Sequence, residues 1–241
     1  LPDAARLRAE RLQAKVIAAR ISKYNLSAMP SPDLPQGMRL LIPGQVEDDA
    51  SIRLGAGTVN TNLGLLQAAR AAHPDAILIY KPHPDVEAGL RPGAVADDDL
   101  RRLADVVARH ADPLHLIEHC VQVFTMTSLL GFEALLRHKP VTCLGAPFYA
   151  GWGLTTDLGP IPLRRSRAPD GHPLPRPDLA GLIHACLIAY PRYYDPVSRR
   201  PCPPEVAVER LASGQGAKTG LPLRLLAKLQ GQFATYARFW R

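Results

Sequence analysis

Three short polar clusters hold the residue types that could do chemistry. The first, residues 45–51, reads QVEDDAS and brings Gln45, Asp48, Asp49 and Ser51 together around Glu47. A carboxylate in such a loop can serve as a base, a nucleophile or a hydroxyl ligand. The same cluster also reads as a solvated acidic turn. The second, residues 81–85, reads KPHPD. Pro82 and Pro84 stiffen the backbone on either side of His83 and remove N–H donors. An imidazole fixed beside the Lys81 ammonium suits a phosphate or a leaving group; the structural alternative is a turn in which His83 caps a neighbour. The third, residues 125–133, reads TMTSLLGFE. Thr127 and Ser128 stand where a helix must begin, and hydroxyls with free backbone N–H groups at a helix start bind phosphate. Glu133 lies about a turn and a half further on, where acids of nucleotide-binding α/β domains meet ribose hydroxyls. Ordinary N-capping by Thr127 or Ser128 is compatible with that role. Gly55, Gly57 and Gly64 do not form GxGxxG, so a dinucleotide fingerprint is absent. No second acidic cluster converges on the first, so no metal is expected.

Each cluster follows a short apolar run. Residues 38–42 (MRLLI), 76–80 (AILIY) and 120–125 (CVQVFT) read as buried strands, and 114–117 (LHLI) and 141–144 (VTCL) as two more. Helices are predicted at 58–72, at 97–110 with Asp97, Asp98 and Asp99 at the end that favours negative charge, and at 128–137. Such alternation implies a doubly wound, Rossmann-like α/β fold. Its parallel sheet is covered on both faces by helices, and its ligands lie beyond the C-terminal strand ends. Ahead of it, residues 3–25 read as a basic amphipathic helix with Leu7, Leu12, Val16, Ile17 and Ile21 at helical spacing, followed by a proline-containing linker. Behind it come the glycine- and aromatic-rich 145–153, a proline- and arginine-rich loop at 159–177, an apolar helix at 178–190, an irregular 191–204 and a helix at 205–212. The expected division is an N-terminal helix and linker (1–37), a nucleotide-binding domain (38–204) and a basic helical tail (205–241).

The 241 residues amount to one large domain or one and a half. Hydrophobic residues at 46% and charged residues at 21% support a buried core. No uncharged apolar run is long enough to span a bilayer. Cys120, Cys143, Cys186 and Cys202 are scattered without a CxxC pair, which fits core residues in a reducing compartment. A net charge of +7 favours anionic partners. Nucleic acid is not expected among them, because the aromatics cluster apart from the basic stretches. The chain begins at Leu1 rather than Met and reads as a piece of a longer polypeptide. In residues 218–241, Lys218, Arg224, Lys228, Arg238 and Arg241 accompany an apolar stripe that includes Leu225, Leu229, Phe233 and Trp240. That pattern suits an anionic membrane surface, or packing on other parts of the protein.

Taken together, LLIPGQVEDDASIRLG, AILIYKPHPDV followed by Gly89 and Arg91, TMTSLLGFEALLRHKPVTCLGAPFYAGWGLT and YPRYYDP resemble the capsular polysaccharide β-Kdo transferases of KpsC type, from about Ser22 to Cys202. The resemblance implies the nucleotide-binding half of a GT-B glycosyltransferase. Such an enzyme takes CMP-Kdo as donor and, with retention, builds the Kdo linker of a capsular polysaccharide on a phosphatidylglycerol-type lipid. It implies no metal or other cofactor. Its partners would be the CMP-sugar, a lipid-linked Kdo acceptor and a further N-terminal half of the same polypeptide. Its place would be cytoplasmic, peripheral on the inner face of the inner membrane. By this resemblance Gln45, Ser51, Lys81, Pro84, Thr127, Ser128 and Glu133 bind the donor, and His83, Asp49 and Asp48 are the catalytic candidates. Two positions depart from the pattern. Phe124 replaces a histidine, and the Glu-Asp-Gly segment that carries the family's nucleophilic aspartate in its N-terminal half does not occur here. A noncatalytic nucleotide-binding or capsule-assembly scaffold domain is the alternative.

Overall fold

The computed structural model describes residues 1–23 and 32–215, in two compact units that divide between Ala189 and Tyr190. In the first unit, β1 (Arg39–Pro43), β2 (Ile77–Lys81), β3 (Val106–Val107), β4 (Gln122–Thr125), β5 (Val141–Cys143) and β6 (Thr156–Asp157) form one sheet in the order β3-β2-β1-β4-β5-β6. Every pairing in it is parallel. Leu40, Leu41 and Ile42 on β1 and Leu78 and Ile79 on β2 are all fully buried. Consecutive residues point to opposite faces, so both faces are covered; that is why these strands read as unbroken apolar runs rather than alternating ones. The strand order reverses between β1 and β4. In an open parallel sheet this is where the connections depart to opposite faces and leave a crevice at the C-terminal edge.

The helices follow from their caps and apolar stripes. Asp49 caps α2 (Ala50–Gly55), and Thr61 caps α3 (Asn62–Ala72) by accepting from the Gly64 N–H at 3.1 Å. Leu65, Leu66 and Ala69 of α3 are sealed against the sheet; truncating either leucine to alanine would cost ~2–5 kcal/mol. His83 caps the single turn α4 (Pro84–Glu87), and Ser128 caps α7 (Leu129–Leu136). Helix α1 (Asp3–Ala18) buries Ala9, Leu12 and Val16 and packs on α8 (Leu179–Ile183), which continues as a π-helical turn, His184–Ala189. Arg6 pairs with Asp178 across that contact.

Several expected boundaries move. Residues 114–117 are not a strand but part of helix α6 (Pro113–His119). Asp112 accepts from the Leu114 N–H at 2.9 Å, and Pro113 supplies the fixed φ of the first turn. The third strand is β3, inside the stretch expected to continue a helix, because α5 (Asp97–Leu103) stops early. The Asp105 carboxylate there takes the Leu78 N–H at 2.8 Å and the Arg70 guanidinium at 2.6 Å, tying the chain to the sheet edge. The first helix ends at Ala18 rather than near 25. Arg20 adopts a left-handed φ of 48° and ion-pairs with Asp112 and Glu118. In the second unit the stretch expected to be irregular is an antiparallel hairpin, β7 (Tyr193–Asp195) with β8 (Arg200–Cys202), followed by α9 (Pro204–Ala212). Its buried Asp195 is gripped by Arg210 through Nε at 2.9 Å and Nη2 at 3.1 Å, which holds the carboxyl well below the usual range. The amphipathic tail 218–241 lies outside the described residues.

Candidate functional site

The crevice that the topology calls for is a cleft of about 370 Å³, within the usual size range of small-molecule sites. Its walls are the loops after β1, β2 and β4, the start of α7, and Lys23 from the segment after α1. Of the residues singled out in the sequence, Gln45, Asp49, Ser51, Lys81, His83, Pro84, Thr127, Ser128 and Glu133 all line it. Asp48 does not. It turns aside to pair with Arg91 at 2.6 Å, and Arg91 itself lines the cleft. Phe124 is a core residue edge-on to His73.

Gln45 organises the floor. Its carboxamide Nε2 donates to Thr127 Oγ1 at 2.8 Å, and its Oε1 accepts from the Thr127 N–H at 3.0 Å and from Thr125 Oγ1 at 3.3 Å. One amide thus ties the β1 loop to the β4 loop across the strand-order reversal. Gln45 is held in turn by Asn62, which has no exposure. The Gln45 N–H donates to Asn62 Oδ1 at 2.8 Å, and Asn62 Nδ2 donates to the carbonyls of Gln45 and Gly93 at 2.7 and 2.8 Å. Gly93 has a φ of 130°, and a side chain there would strike the Gln45 carbonyl and Asn62 itself, so the position requires glycine. Asn62 stands out in the sequence only as a polar residue at a helix start; nothing there separates a cap from a clamp between two loops.

At α7 the capping reading holds. Ser128 Oγ accepts from the Leu130 N–H at 3.3 Å, and the Ser128 N–H donates to Thr125 Oγ1 at 3.2 Å. Most of the first-turn donors are therefore met internally. What the helix offers the cleft is its positive end and the Thr127 and Ser128 hydroxyls. Asp49 is likewise engaged as a cap. It accepts from the Ser51 N–H at 2.8 Å, and that bond, with help from Arg91 and Lys23, holds its carboxyl below the usual range.

The KPHPD loop carries the strongest chemical signal. Lys81 is 4% exposed, and its Nζ has no hydrogen-bond partner among the described residues. Burial pulls its pKa down, with Glu87 and Asp112 opposing. A buried unpaired ammonium is costly, and an anionic group brought against it would lower that cost. His83 Nδ1 accepts from the Asp85 N–H at 3.2 Å, so the neutral ring carries its proton on Nε2. Burial also keeps the ring below its usual pKa, assisted by the charges of Lys23 and Lys81. The loop therefore pairs a cation with a neutral N–H donor.

The rim is aromatic and rigid. Tyr149 is fully buried and donates to the Ser128 carbonyl at 2.5 Å, while Phe148, 43% exposed, lines the cleft. Arg165 holds this loop through the carbonyls of Ala146, Pro147 and Ala150. Cys120 and Cys143 are core residues whose thiols burial pushes up to about 11 and about 12. Among the described residues no group of three or more His, Cys, Asp or Glu could hold a metal ion, and no helix is long and apolar enough to cross a membrane.

Known proteins share both sequence and fold with this chain. A family described as "Capsule polysaccharide biosynthesis protein" matches residues 2–193. The capsule polysaccharide modification protein LipA of Neisseria meningitidis serogroup A is 43% identical over 236 residues, covering 96% of this chain and 32% of LipA. The lipopolysaccharide-processing protein LpsZ of Rhizobium meliloti is 42% identical over 189 residues, 77% of this chain and 41% of LpsZ. Among solved structures, the β-Kdo 2,4 transferase of Thermosulfurimonas dismutans KpsC superposes with a TM-score of 0.76 at 33% identity, covering 88% of this chain and 64% of that one. The β-Kdo 2,7 transferase of the same protein gives 0.72 at 32% identity, covering 89% and 63%. The chain thus spans about a third of the length of the Neisseria relative.

Proposed function

The chain belongs to the capsule polysaccharide biosynthesis protein family, and from that footing we propose that it is the donor-binding portion of a retaining β-Kdo glycosyltransferase of GT-B type. Its donor is CMP-Kdo, and the product is the Kdo linker of a capsular polysaccharide on a lipid acceptor at the inner face of the membrane. The observation that carries this reading is Lys81, a buried ammonium without a hydrogen-bond partner among the described residues, at the C-terminal edge of a Rossmann-ordered sheet. The likeness to two Kdo transferases supports the sugar.

In the transfer, the bond between the Kdo anomeric carbon and the CMP phosphate breaks, and negative charge grows on the phosphate. Lys81 and the Nε2–H of His83 stabilise that charge, and the positive end of α7 adds to it. Gln45 keeps the Thr127 hydroxyl and the β1 loop in register around it. The Phe148 ring offers an apolar face for the base. Asp49, already capping α2, orients Ser51 rather than attacking the sugar. The attacking carboxylate belongs to the partnering N-terminal half, in keeping with the absence of Glu-Asp-Gly from this sequence.

Calorimetry with CMP, CMP-Kdo, UMP and AMP tests the reading. CMP and CMP-Kdo are expected to bind, and UMP and AMP more weakly, with no change on adding EDTA. Equal affinity for all three nucleotides would refute the cytidine assignment. Binding of CMP without turnover, even in the presence of the remaining polypeptide, would favour the scaffold alternative.

A further inference from the structure

Glu133 was expected to face a ribose, yet its carboxylate is occupied by the chain itself. Ser22 Oγ donates to both oxygens, at 3.0 and 3.2 Å, and the Lys23 backbone N–H donates to Oε1 at 2.9 Å. Glu133 is 5% exposed and Ser22 9%. Burial raises the pKa of this carboxyl, so the fold tolerates an unfavourable charge in order to keep the contact. The segment it holds follows the left-handed turn at Arg20, which α6 pins through Asp112 and Glu118. Two anchors on two helices thus deliver one residue, Lys23, to the cleft wall. Its charge acts on Asp49, His83 and Glu133, three groups on different sides of the cleft.

We propose that Glu133 is a positioning residue, and that Lys23, the residue it holds, is a further anion-binding group of the cleft, acting on an anionic oxygen group of the nucleotide-sugar, either its phosphate or its sugar carboxylate. The proposal rests on the reading of the cleft as a nucleotide-sugar site. It assigns Lys23 a role that its place outside the strand-end loops conceals. It also explains why an acid sits in a cleft meant for anions: the negative charge is turned away, onto the backbone that carries a cation.

The test is calorimetry of Lys23→Ala, Glu133→Ala, Glu133→Gln and the Lys23→Ala/Glu133→Ala pair with cytidine, CMP, 2′-deoxy-CMP and CMP-Kdo. Lys23 is exposed, so Lys23→Ala is expected to fold, and one partly screened cation corresponds to about a three- to tenfold loss of affinity, shrinking at high salt. A loss on CMP assigns Lys23 to the phosphate; a loss on CMP-Kdo alone assigns it to the sugar carboxylate. Cytidine binding stays unchanged. Glu133→Ala reproduces the Lys23→Ala loss, the double variant adds nothing further, and Glu133→Gln, whose carbonyl still accepts the Lys23 N–H, retains affinity. Additive losses, or a Glu133→Ala effect that erases the preference for CMP over 2′-deoxy-CMP, would restore the ribose role and overturn the proposal. So would unchanged affinity in Lys23→Ala when the unaltered chain binds CMP and CMP-Kdo. If the unaltered chain binds neither, the nucleotide reading fails and takes the Lys23 role with it. The anchor is then judged by amide hydrogen exchange across Ser22 and Lys23: faster in Glu133→Ala and unchanged in Glu133→Gln supports it, and equal rates in all three overturn it.

Discussion

Replacing Lys81 with methionine should make the chain more stable and less able to bind its ligand at the same time. Methionine keeps most of the side-chain length and removes only the charge and its donors. Lys81 Nζ is buried with no hydrogen-bond partner among the described residues, while Glu87 and Asp112 compensate only at a distance. An unsatisfied buried donor costs ~1–3 kcal/mol, and more when charged. Allowing for the two acids, the net gain from Lys81→Met is about 1–2 kcal/mol, which for a domain of this size raises Tm by about 2–8 °C. The same change removes a charge-assisted contact to phosphate worth ~1.5–3 kcal/mol, or roughly a 10- to 150-fold rise in the Kd for CMP. Differential scanning calorimetry with and without CMP measures both quantities on one sample, because a ligand that binds only the folded state raises Tm by mass action. The unaltered chain should gain stability on adding CMP, and Lys81→Met should start higher and gain little. A variant that is less stable than its parent, or that responds to CMP as strongly, would show that Lys81 is a structural residue with a partner of its own.

The other expected outcomes concern the loop, the clamp and the tail. His83→Ala should lose CMP affinity, while His83→Gln, which can place an amide donor near the Nε2 position, should keep part of it. The folded-state pKa of His83 is depressed, so below pH 6.5 the unfolded chain binds the proton first and stability falls as pH is lowered through that window; thermal unfolding from pH 7 to 5 should show a flatter dependence in His83→Gln, and identical slopes would contradict the burial argument. Asn62→Ala leaves the N–H and carbonyl of Gln45 and the Gly93 carbonyl without their partner, so a loss of ~2–4 kcal/mol in urea unfolding is expected, with weaker CMP binding in whatever remains folded. The basic, aromatic-bearing tail 218–241 should carry the chain onto vesicles containing phosphatidylglycerol. High salt or deletion of the tail should release it, and equal sedimentation with neutral vesicles would count against an electrostatic role.

The strands were legible because burial on both faces leaves an unmistakable trace: β1, β2, β4 and β5 lie within a residue or two of the apolar runs that announced them. The edge strand β3 was not, because two residues carry no periodicity. Its place is set by the Asp105 carboxylate reaching Leu78, a contact between distant parts of the chain. Helix α6 was misread although its signal was present, since an Asp-Pro pair before an apolar run is a cap followed by a first-turn proline. The hydrophobicity of residues 114–117 outweighed it. The candidate site divides in the same way. The residues at strand ends come together in one cleft because topology alone sends those ends to one edge. Asp48 was grouped with Asp49 by adjacency, yet the residue that reaches the cleft is its ion-pair partner Arg91, not Asp48 itself.

Asn62 and Lys23 were hidden for a further reason: their importance lies in what holds them or what they hold. Gln45, Thr125, Thr127 and Asn62 satisfy one another around the floor, and Glu133 is satisfied by Ser22 and Lys23 across 110 residues of chain or more. A polar network closed in this way is rigid and asks nothing of a ligand. Lys81 is the exception, the one cleft side chain with a buried polar atom left unpartnered among the described residues. A site preorganised by its own hydrogen bonds and lacking a single counter-charge will select a partner by that charge. Under the proposed function, a phosphate of the donor would complete an arrangement whose geometry the rest of the cleft has already fixed.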